Sequence, residues 1–152
     1  MILREERGDM TKPRILIADD HPVMLAASGG ILDELGDVVG MVADGQALVE
    51  AARRLQPDLI ISDISMPRLN GLDATREIQM YAPQSKVIML TIHRAAVYVS
   101  MAFRAGARGY LLKQSAVAEL PQAVLRVLEG ERYIGADVAG REEWMSAPMR
   151  QP

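Results

Sequence analysis

The sequence predicts an α/β domain built on a parallel sheet, and three observations carry that prediction. Short runs rich in Ile, Val and Leu alternate five times with longer amphipathic stretches. Two of those runs, Leu59-Ile60-Ile61 and Val87-Ile88-Met89-Leu90, are apolar without alternation, as strands covered on both faces must be. The length of 152 residues suits one hydrophobic core.

Taken in chain order, strands are expected at residues 14–18, 38–42, 59–62, 86–90 and 109–112, with the third and fourth in the middle of the sheet. Helices are expected at 23–35, 46–55, 71–81, 95–105, and over a last stretch ending near Glu129. The second shows the pattern most clearly. Leu48, Ala51, Ala52 and Leu55 recur at helical spacing, while Glu50, Arg53 and Arg54 fall on the opposite face. Two features resist the pattern. Gly29 and Gly30 lie inside the first helix at a cost of roughly 1 kcal/mol each relative to Ala. Pro121 falls where the last helix should be running, so it is expected in that helix's first regular turn, after an irregular lead-in from Ser115.

Composition narrows the function. Residues are 49% hydrophobic and 24% charged, the balance of a folded domain. Seventeen Lys and Arg against 20 Asp and Glu give a net charge of −3, which argues against a domain devoted to binding nucleic acid. The absence of cysteine excludes a disulfide framework, a thiolate zinc site and a cysteine nucleophile. No apolar run approaches the ~18 residues of a membrane span. Residues 1–11 are charged through Arg4, Glu5, Glu6, Arg7 and Asp9 and lack a signal-peptide core, so a cytoplasmic protein with no membrane partner is expected. These eleven residues read as a flexible extension. Residues 135–152, with Gly135, Gly140 and Pro148, read as a tail or truncated linker in which Trp144 is either an anchor or exposed.

In a doubly wound parallel sheet the functional crevice lies beyond the carboxyl ends of the strands. There the chain places Asp19 and Asp20 after the first strand, Asp63 after the third, Thr91 after the fourth and Lys113 after the fifth. Taken singly, each Asp is more often a turn former or helix cap, Thr91 an N-cap and Lys113 a solvated charge. Together they bring three carboxylates, a hydroxyl and an ammonium to one rim, and repelling carboxylates call for a cation. Oxygen donors without thiolate or a histidine pair favour Mg²⁺. A carboxylate beside Mg²⁺, with Lys and Thr nearby, is what forming an acyl phosphate requires. His93, lacking an evident carboxylate partner, reads as a loop residue.

The combination resembles the receiver domain of two-component response regulators over residues 12–134. The resemblance rests on Ile15-Leu-Ile-Ala-Asp19-Asp20-His21-Pro22, Asp58-Leu-Ile-Ile-Ser-Asp63-Ile-Ser-Met-Pro67, Asn70-Gly71-Leu72, Val87-Ile-Met-Leu-Thr91 and Gly106-Ala-Arg-Gly109-Tyr110-Leu-Leu-Lys113. It implies a flavodoxin-like (βα)5 fold with a five-stranded sheet in the order 2-1-3-4-5 and helices on both faces. It implies Asp63 as the acceptor of phosphate from a sensor histidine kinase. Mg²⁺ would be held by Asp19, Asp20, Asp63 and the backbone carbonyl of Ser65, with Asp20 a direct ligand and Asp19 acting through water. Thr91 and Lys113 would contact the phosphoryl group. Pro67 and Gly71 would shape the loop, and Ser65 and His93 would tune dephosphorylation. Such a domain is a phosphoacceptor rather than an enzyme. By the same resemblance Thr91 swings toward the phosphoryl group and Tyr110 follows inward. That shift re-sculpts the surface of the fourth helix, fifth strand and fifth helix, where a partner or a second copy could dock.

Asp-Asp-His-Pro, Thr91-Ile-His93 and Gly130-Glu-Arg-Tyr-Ile134 most resemble the NarL/FixJ subfamily, in which a LuxR-type helix-turn-helix follows and controls transcription. Residues 135–152 offer no such helix pair, so DNA binding by this chain is not expected. An alternative is a haloacid-dehalogenase-like, Mg²⁺-dependent phosphatase. Its nucleophile and acid/base Asp stand two apart, where this chain pairs Asp19 with His21. A stand-alone receiver-like interaction module is the other alternative, and it has no physical need for the acidic cluster.

Overall fold

The computed structural model describes residues 12–146. The expectations for residues 1–11 and 147–152, including Pro148, lie outside the described residues.

Six parallel strands form one sheet in the order β2-β1-β3-β4-β5-β6. They are β1 (Arg14–Ala18), β2 (Asp37–Val42), β3 (Leu59–Ser62), β4 (Lys86–Thr91), β5 (Gly109–Leu112) and β6 (Tyr133–Ile134). The α/β class holds, and the five-strand order 2-1-3-4-5 is extended by one strand. β6 escapes sequence reading because two residues carry no periodicity. Its pairing to β5 exists only in the folded sheet.

The helices are α1 (Pro22–Asp33), α2 (Gly45–Leu55), α3 (Gly71–Tyr81), α4 (Ala96–Ala105), α5 (Ala116–Leu128) and α6 (Arg141–Met145). Strand residues alternate between the two faces. Ile15, Ile17, Ile61, Ile88 and Leu111 pack with Leu32 of α1 and Leu120, Val124 and Val127 of α5. Leu16, Ile60, Val87, Met89 and Tyr110 pack with Leu48 of α2, Ile78 of α3 and Val99 of α4. Because β3 and β4 lie at the centre of the sheet, both their faces are covered, which is why their sequences do not alternate.

Local chemistry sets the helix starts. Asp44 Oδ1 accepts a hydrogen bond of 2.7 Å from Ala47 N, and Asn70 Oδ1 one of 2.9 Å from Asp73 N, so both cap helices that begin at glycine. Pro121 departs from expectation: a 3₁₀ turn at Lys113–Ser115 leads directly into α5, and Pro121 is its sixth residue rather than part of its first turn. The hydrogen bond that Pro121 cannot donate is the one to the carbonyl of Val117, a residue that is 81% exposed. Residues 136–146, read from the sequence as tail, fold back on the domain through α6, and Trp144 stacks on Phe103 of α4 at 5.2 Å.

Candidate functional site

The carboxyl ends of β1, β3, β4 and β5 meet at one rim. Asp19 and Asp63 are almost fully buried there, at 4% and 3% exposure. Asp63 N donates to Ala18 O at 3.0 Å, fastening the end of β3 to the end of β1. Lys113 crosses from the end of β5 and its Nζ lies 2.8 Å from Asp19 Oδ2 and 2.9 Å from Asp63 Oδ2. Burial alone would lower the Lys113 pKa, but the hydrogen bonds and charges of Asp19 and Asp63 outweigh it. The ammonium therefore titrates above the ordinary lysine value.

Asp20 is more open. Its Oδ1 lies 3.2 Å from His21 Nδ1, which is also 3.0 Å from Asp19 Oδ1 and 3.4 Å from Lys113 Nζ. Asp19, Asp20, His21 and Asp63 offer ligand atoms that all lie within 4.8 Å of one another. Three carboxylates against one ammonium leave two negative charges in excess at this partly buried rim when His21 is neutral. The donors are hard oxygens with one imidazole, and this donor set fits a hard divalent cation.

The loop from Asp63 to Asn70 is shaped by close backbone approach. A Cβ at Gly71 would overlap the carbonyl oxygen of Asp63, and Gly71 N donates to Ile64 O at 2.7 Å. A Cβ at Gly45 would overlap the carbonyl oxygen of Leu69, while Gly45 N donates to Pro67 O at 3.3 Å. The loop is thus clasped by the first residues of α2 and α3, and this leaves Asp63 Oδ1 to accept from Ile64 N at 2.7 Å. Pro67 and Gly71 both lie in this clasp.

Across the rim, Thr91 is the last residue of β4, fully buried, and its Oγ accepts from His93 N at 3.3 Å. His93 links several elements. Its Nε2 is 2.8 Å from the hydroxyl of exposed Ser65, its ring stacks on Tyr98 at 4.1 Å, and its carbonyl accepts from Tyr110 OH at 2.8 Å. Burial, with smaller contributions from Tyr98 and Asp63, holds the Tyr110 phenol well above its ordinary pKa and keeps it a neutral donor. Tyr110 is fully buried and packs into the core on this face of the sheet.

The rim therefore brings together Asp19, Asp20, Asp63 and Lys113, with Thr91, Tyr110, Ser65 and His93 beside them. Sequence reasoning missed His21, although its place two residues after Asp19 was a signal. The chain turns back at the strand end, and His21 N donates to Asp19 Oδ1 at 2.9 Å. It also missed the joining role of His93, which depends on contacts from three other segments.

Residues 15–125 match the response regulator receiver domain family. The chain is 34% identical over 131 residues to the response regulator GacA of Pseudomonas aeruginosa, covering 83% of this chain and 60% of that protein. It is 37% identical over 127 residues to the response regulator UvrY of Escherichia coli K12, covering 82% and 58%. The chain thus spans about 60% of the length of these curated relatives. Among solved structures, a LuxR-family two-component response regulator from Aurantimonas sp. SI85-9A1 superposes with a TM-score of 0.81 at 31% identity, covering 90% of this chain and 100% of that one. With the rim of Asp19, Asp63, Thr91 and Lys113 standing inside the matched span, the chain belongs to the response regulator receiver domain family of two-component systems.

Proposed function

We propose that Asp63 accepts a phosphoryl group from a phosphohistidine of a sensor histidine kinase. A carboxylate oxygen of Asp63 attacks phosphorus and an O–P bond forms. The P–N bond breaks with its electron pair returning to the imidazole nitrogen of the donor, and the product is an acyl phosphate. The observation that carries this reading is the position of Asp63: at the centre of the sheet, 3% exposed, with Lys113 Nζ 2.9 Å from Oδ2. Lys113 neutralises charge developing on the phosphoryl oxygens, and the Thr91 hydroxyl donates to one of them after turning from His93 N.

Asp19, Asp20, Asp63 and the Ser65 carbonyl would hold Mg²⁺, which would supply charge neutralisation at the transferring phosphoryl group. Ser65 and His93, joined across the rim, regulate the access of water and so tune hydrolysis of the acyl phosphate. Pro67 and Gly71 hold the loop that presents Asp63. The protein acts as a signalling domain and not as an enzyme with turnover of its own. The haloacid-dehalogenase alternative lacks its acid/base carboxylate, since His21 stands at that position.

The output surface is that of α4, β5 and α5. Val97 and Met101 on α4, and Val117 and Leu125 on α5, are exposed apolar side chains suited to a partner or a second copy. Transcriptional control belongs to a full-length protein of this type, and residues 12–146 by themselves do not bind DNA specifically. Among the described residues no helix is long and apolar enough to cross a membrane.

Mass spectrometry after incubation with a small phosphodonor and Mg²⁺ tests the central assignment. One phosphoryl adduct is expected on the wild type and none on Asp63→Asn. An undiminished adduct on the variant overturns the assignment.

A further inference from the structure

We propose that residues 135–146 form a strap that holds α4 in the arrangement of the unmodified site, and that modification of Asp63 loosens it. The proposal rests on the phosphoacceptor reading. The strap runs beside both ends of α4 and stacks on it at one. Midway along the strap, Gly140 passes close to Ala96, the first residue of α4: a Cβ added at Gly140 would lie 3.7 Å from Ala96 Cβ. Near its end, the Trp144 ring stacks on Phe103 at 5.2 Å with 27° between planes. Arg132 fastens the pair. Its guanidinium lies 5.1 Å from the Phe103 ring centre and 5.8 Å from that of Trp144, and its Nη1 donates to Trp144 O at 2.7 Å. Arg141 Nε, in turn, donates to Ile134 O at 2.9 Å and ties α6 to the end of β6.

Two features make this strap releasable. α6 has five residues and no side-chain cap at its N-terminus. A helix that short is far below the length at which helices persist alone, so its order depends on docking against Phe103 and Arg132. Such a segment opens at small free-energy cost while the sheet stays intact.

The strap is also wired to the site. Gly135 N donates to Tyr110 O at 2.9 Å, and Tyr110 OH donates to His93 O at 2.8 Å. His93 N donates to Thr91 Oγ at 3.3 Å. When Thr91 turns its hydroxyl to a phosphoryl oxygen, the loop that carries His93 must re-form, and α4 begins directly after that loop. The Trp144 stack on Phe103, with Gly140 close to Ala96, opposes a shift of α4, so the docked strap favours the unmodified state. Linkage makes this reciprocal: weakening the strap raises the affinity of the site for a phosphoryl analogue by the same factor.

Trp144 is the only tryptophan in the chain, so its emission reads the strap directly. Emission and acrylamide quenching are measured with and without Mg²⁺ and beryllofluoride, which stands in for the phosphoryl group. Fluorine NMR of the same sample reports occupancy of Asp63. On adduct formation the emission is expected to move to longer wavelength and quenching to rise about twofold, as a population shift requires. Phe103→Leu and Arg132→Gln are each expected to show the shifted emission without ligand and to bind beryllofluoride about fivefold more tightly, the lower end of ordinary coupling. A full adduct with unchanged Trp144 emission overturns the strap and leaves the phosphoacceptor reading standing. So does unchanged affinity in whichever of the two variants keeps the wild-type far-UV circular dichroism. Failure of the wild type to form an adduct overturns both.

Discussion

At the scale of single residues, Lys113 and Gly71 decide whether the rim can exist. Lys113 lies between Asp19 and Asp63, and its raised pKa ties stability to pH. A lysine whose folded pKa exceeds its unfolded value, about 10.4, stabilises the fold fully below that value. That stabilisation is lost as pH rises through the raised folded value. Urea midpoints from about pH 9 to 12 should therefore fall more steeply for the wild type than for Lys113→Met, and parallel profiles would refute this. Gly71 fills a different role, since any side chain there would collide with the backbone of Asp63. Gly71→Ala should cost about 3 kcal/mol, the upper range for forced overpacking. The loss is read from denaturant unfolding, with phosphorylation of Asp63 slowed in the same variant. Neither residue stands out by sequence type alone. Lys113 was legible because it follows a strand end, and Gly71 because of the resemblance, but the backbone overlap that demands glycine is visible only in the fold.

At the scale of elements, the strands and helices divide into those whose pattern is local and those whose order is borrowed. α2 carries its own periodicity, cap and apolar face, and its bounds follow from them. α1 is less regular. A Cβ added at Gly29 would meet the Met41 side chain at 3.1 Å, whereas one at Gly30 would face open space. Replacing Gly30 by Ala adds a methyl group that meets nothing and removes backbone freedom from the unfolded chain. Gly30→Ala should stabilise the protein by about 0.8 kcal/mol, raising the midpoint of thermal unfolding by about 3 °C. A fall in the midpoint would mean that α1 needs the freedom of this glycine. β6 and α6 are the opposite case. Two and five residues long, they are held by β5, Phe103 and Arg132, which lie in other segments of the chain.

At the scale of the whole molecule, the site draws on the ends of four strands, so its occupancy should stabilise the sheet as a unit. A cation that binds only the folded rim raises stability by mass action, about 2.7 kcal/mol at a hundredfold excess over its dissociation constant. Thermal scans with Mg²⁺ should show a rise in midpoint that a chelator reverses and that Asp20→Ala largely loses. An equal rise in both proteins would remove Asp20 from the ligand set. By itself the sequence determined the parallel α/β class, the placement of five strands within about a residue, and the gathering of Asp19, Asp20, Asp63, Thr91 and Lys113 on one rim. It could do so because side-chain period is a local property and because parallel topology sends every strand end to the same side. Tertiary structure alone decided the sixth strand, the depth of Pro121 in α5, the hydrogen bond of Tyr110 to the His93 carbonyl, the turn of His21 toward Asp19 and Asp20, and the docking of Trp144 on Phe103. Each of these depends on contacts between segments distant in sequence or on a backbone turn at a strand end, and no local pattern of residue types encodes which side of a neighbour such a group will meet.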